Sequence, residues 1–173
     1  DNRDWAMFPR AMNLFSGSNA LYAVAGAADN SKTSDNEGAA YIYEIKYNAG
    51  AFPADQSSGI KELMITGSNT DGSEYFGWRQ KGFASGSSKL YLSCGAEYEG
   101  TQGTQRGAAY VFEIDASDSF PQDMESNVTE LFLTAGHDVG RYARYGQHTR
   151  LVSSSNGLYC LVSAFEEHHS GYG

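Results

Sequence analysis

The residues of this 173-residue chain that could carry chemistry are four histidines, two cysteines and several acidic loops. Glu166-Glu167-His168-His169 sets two carboxylates beside two imidazoles, a donor set that zinc accepts. Neighbouring side chains on one loop rarely converge on one ion, so the expectation there is a solvated loop. Calcium wants six to eight oxygens and a glycine that permits the turn. Asp29 and Asp35 in one Asp/Asn/Ser-rich stretch, and Asn69, Asp71 and Glu74 in another, are the residues it would use. The corresponding stretches further along read Glu97-Tyr-Glu-Gly-Thr-Gln and Gly136-His-Asp-Val-Gly-Arg and do not repeat those acids. Polar surface loops and no resident metal or cofactor are therefore expected. Nucleophilic and phosphoryl-transfer signatures are missing: there is no Gly-x-Ser-x-Gly, no phosphate-binding glycine loop and no recurring acid pair. The chain reads as a non-enzyme.

The elements that must position these residues come from an internal repeat, the first thing to seek in a glycine-rich, aromatic-rich sequence. Gly38-Ala-Ala-Tyr-Ile-Tyr-Glu-Ile45 recurs 69 positions on as Gly107-Ala-Ala-Tyr-Val-Phe-Glu-Ile114. Lys61-Glu-Leu-Met-Ile-Thr66 recurs 68 positions on as Thr129-Glu-Leu-Phe-Leu-Thr134, and Phe52-Pro53 as Phe120-Pro121. Leu21-Tyr-Ala-Val-Ala-Gly-Ala27 appears three times, again as Leu90–Ala96 and Leu158–Ala164. Phe8, Phe76 and Tyr145 open the copies, which run approximately 8–75, 76–144 and 145–173, the last incomplete.

Each copy holds four strand-like runs, in the first 10–16, 21–27, 39–47 and 60–66, separated by Gly, Asn, Asp, Ser and Pro turn formers. No helical period is present. Four antiparallel strands per repeat of this length predict an all-β fold: β-propeller blades, about two and a half of them, stacked because one sheet cannot bury both its faces. Both ends of the sequence fall inside a repeat. The expectation is a segment of a longer propeller; the alternative is a short chain that closes by self-association. Cys94 and Cys160 sit on the second strand of successive copies and on the same face of each, so they are expected to stay free and buried rather than form a disulfide. The recurring Tyr22/Tyr91/Tyr159, Tyr41/Tyr110 and Tyr43/Phe112 are expected to pack between blades, with a carbohydrate-stacking surface as the alternative.

Tyr75-Phe76-Gly77-Trp78, then Leu90–Ala96, then Gly107–Phe112 resembles the FG-GAP repeat of integrin α-subunit propellers and of many secreted or surface propellers. Departures are Phe8-Pro9 in the first copy, Tyr145-Gly146 and Ser163-Ala164 in the third, and the lack of the Asp-x-Asp-x-Asp-Gly calcium loop. The resemblance implies the propeller fold and an extracellular or cell-surface module that binds protein or glycan partners in adhesion. Two other roles are open: a structural repeat of an extracellular fibre made of copies of itself, and an accessory propeller of a larger hydrolase. The formal charge of −9, with both signs interspersed, argues against nucleic acid, and no apolar run is long enough to span a bilayer. Asn127-Val-Thr129 is the one Asn-x-Ser/Thr sequon, so Asn127 is the candidate N-glycan site of an exported protein.

Overall fold

The computed structural model describes residues 10–17, 20–27, 38–46, 51–68, 75–79, 82–86, 88–100, 106–135 and 143–164. Within them the chain is all-β. The strands are β1 (Arg10–Ser16), β2 (Ala20–Ala27), β3 (Ala39–Lys46), β4 (Ile60–Ile65), β5 (Gly82–Ser85), β6 (Lys89–Ala96), β7 (Ala108–Asp115), β8 (Val128–Leu133), β9 (Thr149–Ser154) and β10 (Gly157–Val162). They form two four-stranded sheets, β1-β2-β3-β4 and β5-β6-β7-β8, and a two-stranded one, β9-β10, with every pairing antiparallel. No helix among the described residues is long and apolar enough to cross a membrane.

The equivalent strands keep equivalent registers. Tyr41 opposes Met64 in the first sheet as Tyr110 opposes Phe132 in the second. Ala23 opposes Tyr43 as Leu92 opposes Phe112. Such alternation puts residues i and i+2 on one face, and both faces are apolar, as a stacked sheet requires. Tyr22, Val24, Ala40, Ile42, Leu63 and Ile65 of the first sheet share one core with Phe83, Leu90, Leu92, Cys94, Tyr110, Phe112 and Ile114 of the second. The Tyr22 face of one repeat therefore meets the Leu92 face of the next. Phe83 lies between Phe15 and Tyr22, with ring centroids 4.9 and 5.4 Å away. Phe76, at the opening of the second repeat, is edge-on to Tyr110 at 5.2 Å.

The third sheet continues the pattern. Thr149 Oγ1 donates to the Ser93 carbonyl at 3.0 Å, and Ser93 Oγ donates to Thr149 Oγ1 while accepting from the Gly82 amide at 3.1 Å. This closes a buried polar network between the second and third sheets.

Two of the motif glycines exist because backbones touch. The Gly146 carbonyl oxygen lies 1.6 Å from where a Cβ on Gly95 would stand, and the Ala108 carbonyl oxygen 1.8 Å from one on Gly146. Gly38 and Gly107, at φ 81° and 80°, form parallel bridges to Phe76 and Tyr145, the residues that open the next repeat. The Gly-Ala-Ala and Phe-Gly signatures are thus two sides of one inter-repeat contact.

Both cysteines are free. Cys94 is buried in the interface between the first two sheets. The sequence predicts a buried Cys160; it is half-buried instead, because β9, rather than the β10 strand that carries it, makes the main packing on the second sheet. Its thiol pKa is pushed up by burial, against a smaller opposing hydrogen bond with Ser93. Ser93 points to the opposite face of β6 from Cys94, which is why the two thiols do not meet.

Candidate functional site

The connectors β4–β5, β6–β7 and β8–β9 leave the sheets at one end. There they bring together side chains from three places in the sequence. Tyr75 has φ 54° and Arg144 φ 49°, left-handed values that cost a residue with a Cβ roughly 1–2 kcal/mol. Each precedes the aromatic that opens a repeat, and each is held by the same turn: the Trp78 amide donates to the Tyr75 carbonyl at 3.0 Å and the Gln147 amide to the Arg144 carbonyl at 3.2 Å. Repeated strain of this kind marks a position that the surrounding structure over-determines. It places Tyr75 4.4 Å from Trp78 and 5.3 Å from Tyr98, centroid to centroid. The Arg144 guanidinium lies 5.3 Å over the Tyr98 ring, and that of Arg79 5.9 Å from the Trp78 ring.

Behind these half-exposed rings are two buried carboxylates, Glu97 at 2% and Glu99 at 0% exposure. Burying a charge demands a partner. Arg79 Nε supplies one to Glu97 at 3.5 Å. The Glu99 backbone is fixed at both ends, its amide donating to the Ala96 carbonyl at 3.1 Å and its carbonyl accepting from Gly107 at 3.0 Å. The result is a shelf of three aromatic rings and two arginines, with buried Glu97 paired to Arg79. Flat π-faces with adjacent guanidinium donors suit stacking on sugar rings or on planar groups of a peptide.

The residues singled out for calcium, Asp29, Asp35, Asn69, Asp71 and Glu74, lie outside the described residues, as do Glu166, Glu167, His168, His169 and His137. His148 is exposed. Among the described residues no group of three or more His, Cys, Asp and Glu side chains is placed to hold a metal ion.

Asn127 lies at the opposite end of the second sheet. It is exposed, has φ 63°, and its carbonyl accepts from the Asp115 amide at 2.7 Å. Gly59, its counterpart, has φ 118° and accepts likewise from Lys46 at 3.0 Å. Asparagine replaces glycine here because it tolerates the left-handed turn better than other side chains do.

Sequence reasoning missed the shelf. Trp78 and the Glu97-Tyr98-Glu99 stretch do not recur in the other copies, so self-comparison passes over them. The one available signal was aromatic and acidic residues together inside a connector. No family model, no curated protein and no solved structure matches the chain.

Proposed function

We propose that the chain is a non-catalytic part of an extracellular β-propeller of FG-GAP-like repeats that binds glycan or protein partners at its connector end. One observation carries this reading: the Tyr75–Trp78–Tyr98 shelf with Arg79 and Arg144, three connectors converging on one half-exposed aromatic surface. Support for the blade arrangement comes from the repeated use of opposite sheet faces as one interface. A glycan array of neutral and acidic oligosaccharides, probed with the full chain and with Trp78→Ala, tests the binding reading. Binding is expected, and it is expected to weaken by about tenfold or more in the variant, as when one stacking ring is lost. Equal binding by Trp78→Ala would remove the shelf from the site, and an array without signal would remove glycans as the partner class.

The extracellular part of the reading has its own check. Secreted from a eukaryotic host, the protein is expected to lose one glycan's mass on treatment with an N-glycan-releasing amidase. Thr129→Ala, which keeps Asn127 in its turn, should abolish that difference. An unshifted wild-type mass would count against both the glycan and the location.

A further inference from the structure

The turns that join the first two strands of each repeat differ at one place. Leu21, Leu90 and Leu158 are equivalent, so the pairs before them correspond: Asn19-Ala20, Ser88-Lys89 and Asn156-Gly157. Asn156-Gly157 is the sole Asn-Gly pair in the chain. Such a pair has a chemistry of its own. The main-chain nitrogen that follows an asparagine can attack the side-chain carbonyl carbon. The usual obstacle is the side chain of the next residue, which glycine lacks.

The third hairpin leaves that attack open. β9 ends at Ser154 and β10 begins opposite it at Gly157, so Ser155 and Asn156 form a two-residue loop. Every residue from Val152 to Gly157 is exposed. A Cβ built on Gly157 would meet nothing within 4 Å. Ser155 Oγ donates to Asn156 Oδ1 at 3.3 Å, which draws electron density from the carbonyl that is attacked. The main chain is held on both sides of the pair: the Asn156 amide donates to Ser154 Oγ at 3.2 Å, and Ser154 Oγ donates to the Gly157 carbonyl at 3.4 Å. The exposure belongs to the turn itself. In the second repeat, which has a sheet on either side, Gly86 and Ser88 of the equivalent turn are exposed too. The other asparagines among the described residues are less open to this reaction. Asn13 lies within β1 before Leu14, and Asn127 precedes Val128, whose branched side chain crowds the nitrogen.

We infer that Asn156 is a modification site at which the chain converts itself, with water as the co-reactant. The Gly157 nitrogen bonds to Asn156 Cγ, and the Cγ–Nδ2 bond breaks. The side-chain nitrogen leaves as ammonia, taking up the proton that the Gly157 amide gives up. Water then opens the five-membered succinimide at one of its two carbonyls. One opening gives aspartate. The other gives isoaspartate, whose main chain runs through the former side chain and is longer by one carbon. Either product adds a carboxylate, ionised at neutral pH, to a chain of formal charge −9. Isoaspartate also lengthens the two-residue loop that sets the register of β9 on β10. The inference stands apart from partner binding, because this turn lies at the Asn127 end of the sheets, away from the aromatic shelf.

Timed incubation of the full chain, made in a bacterial host and held at mildly alkaline pH, tests this by peptide mass mapping. The Asn156 peptide should lose its amide at a rate proportional to hydroxide concentration, since the attacking nitrogen must shed its proton. An isoaspartyl methyltransferase with a labelled methyl donor should mark the same peptide. The Asn13 and Asn127 peptides should keep their amides. Gly157→Ala, which brings in the Asn-Ala pair of the first repeat, should slow the loss by about tenfold or more, equal to about 1.4 kcal/mol of added barrier. Asn156→Ser, which brings in the residue type of the second repeat's turn, should abolish it with circular dichroism unchanged. An Asn156 that stays intact while the urea-unfolded chain converts overturns the inference. So does amide loss that yields aspartate without isoaspartate, equally fast loss at Asn127, or a Gly157→Ala chain that converts at the wild-type rate.

Discussion

Gly95→Ala is expected to destabilise the protein by about 3 kcal/mol, read as a lowered urea midpoint together with early proteolysis of the β9–β10 hairpin. The estimate combines overpacking, typically about 1–3 kcal/mol, with the cost of displacing buried hydrogen bonds, about 1–3 kcal/mol. A methyl at this position falls 1.6 Å from the Gly146 carbonyl oxygen and 2.6 Å from its carbonyl carbon. Neither neighbour is the tip of a flexible side chain, so the clash can be relieved only by moving β6 or the turn at 144–147. That turn is tied down from two directions. The Tyr145 amide donates to the Arg106 carbonyl at 2.9 Å, and the Gly146 amide to the Ser163 carbonyl at 2.9 Å. Ser163 occupies the position of Gly95 in its own repeat and is exposed. Ser163→Gly loses only an exposed hydrogen bond from the His148 amide to Ser163 Oγ at 3.1 Å, so it should cost about 1 kcal/mol or less. A Gly95→Ala protein as stable as the wild type would show that the second and third repeats do not meet at this contact.

Phe112→Ala should cost about 3–5 kcal/mol, the range for truncating a buried phenylalanine that leaves a cavity. Phe112 is fully buried, 6.0 Å from Phe76 and 6.2 Å from Tyr110 by ring centroid. Tyr43 is its counterpart in the first sheet and faces away from the second, half-buried beside Tyr41 at 6.4 Å. Its hydroxyl pKa is raised, first by burial and then by its hydrogen bond to Glu62. Tyr43→Ala should cost about 1 kcal/mol or less. The paired experiment, followed by thermal and urea unfolding, compares one repeat position in two environments. Equal losses at the two sites would mean that Tyr43 is as fully enclosed as Phe112.

The strands were legible almost residue by residue. The runs at 10–16, 21–27, 39–47 and 60–66 became β1 to β4 with boundaries displaced by at most one position. They could be read because the hydrophobic alternation and the turn chemistry agree, and because three copies constrain each other. The stacking of unlike faces was an assumption of the propeller reading; from it followed that Cys94 and Cys160 stay free, as they are. The half-exposure of Cys160 was not legible, since it depends on which strand of the hairpin packs on the second sheet. Register was harder still. The 68-residue spacing of Phe8 and Phe76 would align Phe15 with Phe83, but Phe15 pairs with Tyr22 while Phe83 pairs with Leu92, so the two rings lie on opposite faces and meet across the interface. The hairpin turns decide this: Ser16 pairs with Leu21 as Ser85 pairs with Leu90, a 69-residue spacing that makes Leu14 the counterpart of Phe83. Period-2 patterning cannot announce such a shift in advance. The shelf was illegible for a different reason: its residues are brought together by turns whose left-handed backbone is held from the neighbouring repeat.

The strand order has a consequence for biosynthesis. Each strand pairs with its immediate sequence neighbours, so a sheet can close as soon as its last strand leaves the ribosome. Tyr22, Val24 and Ile42 then stay wet until Leu92 and Phe112 have been translated. During that interval a nascent chain presents a greasy slab with nothing to cover it, and this is the window in which a chaperone would be needed. One repeat is too little to fold by itself, and two are the least that can hide a face.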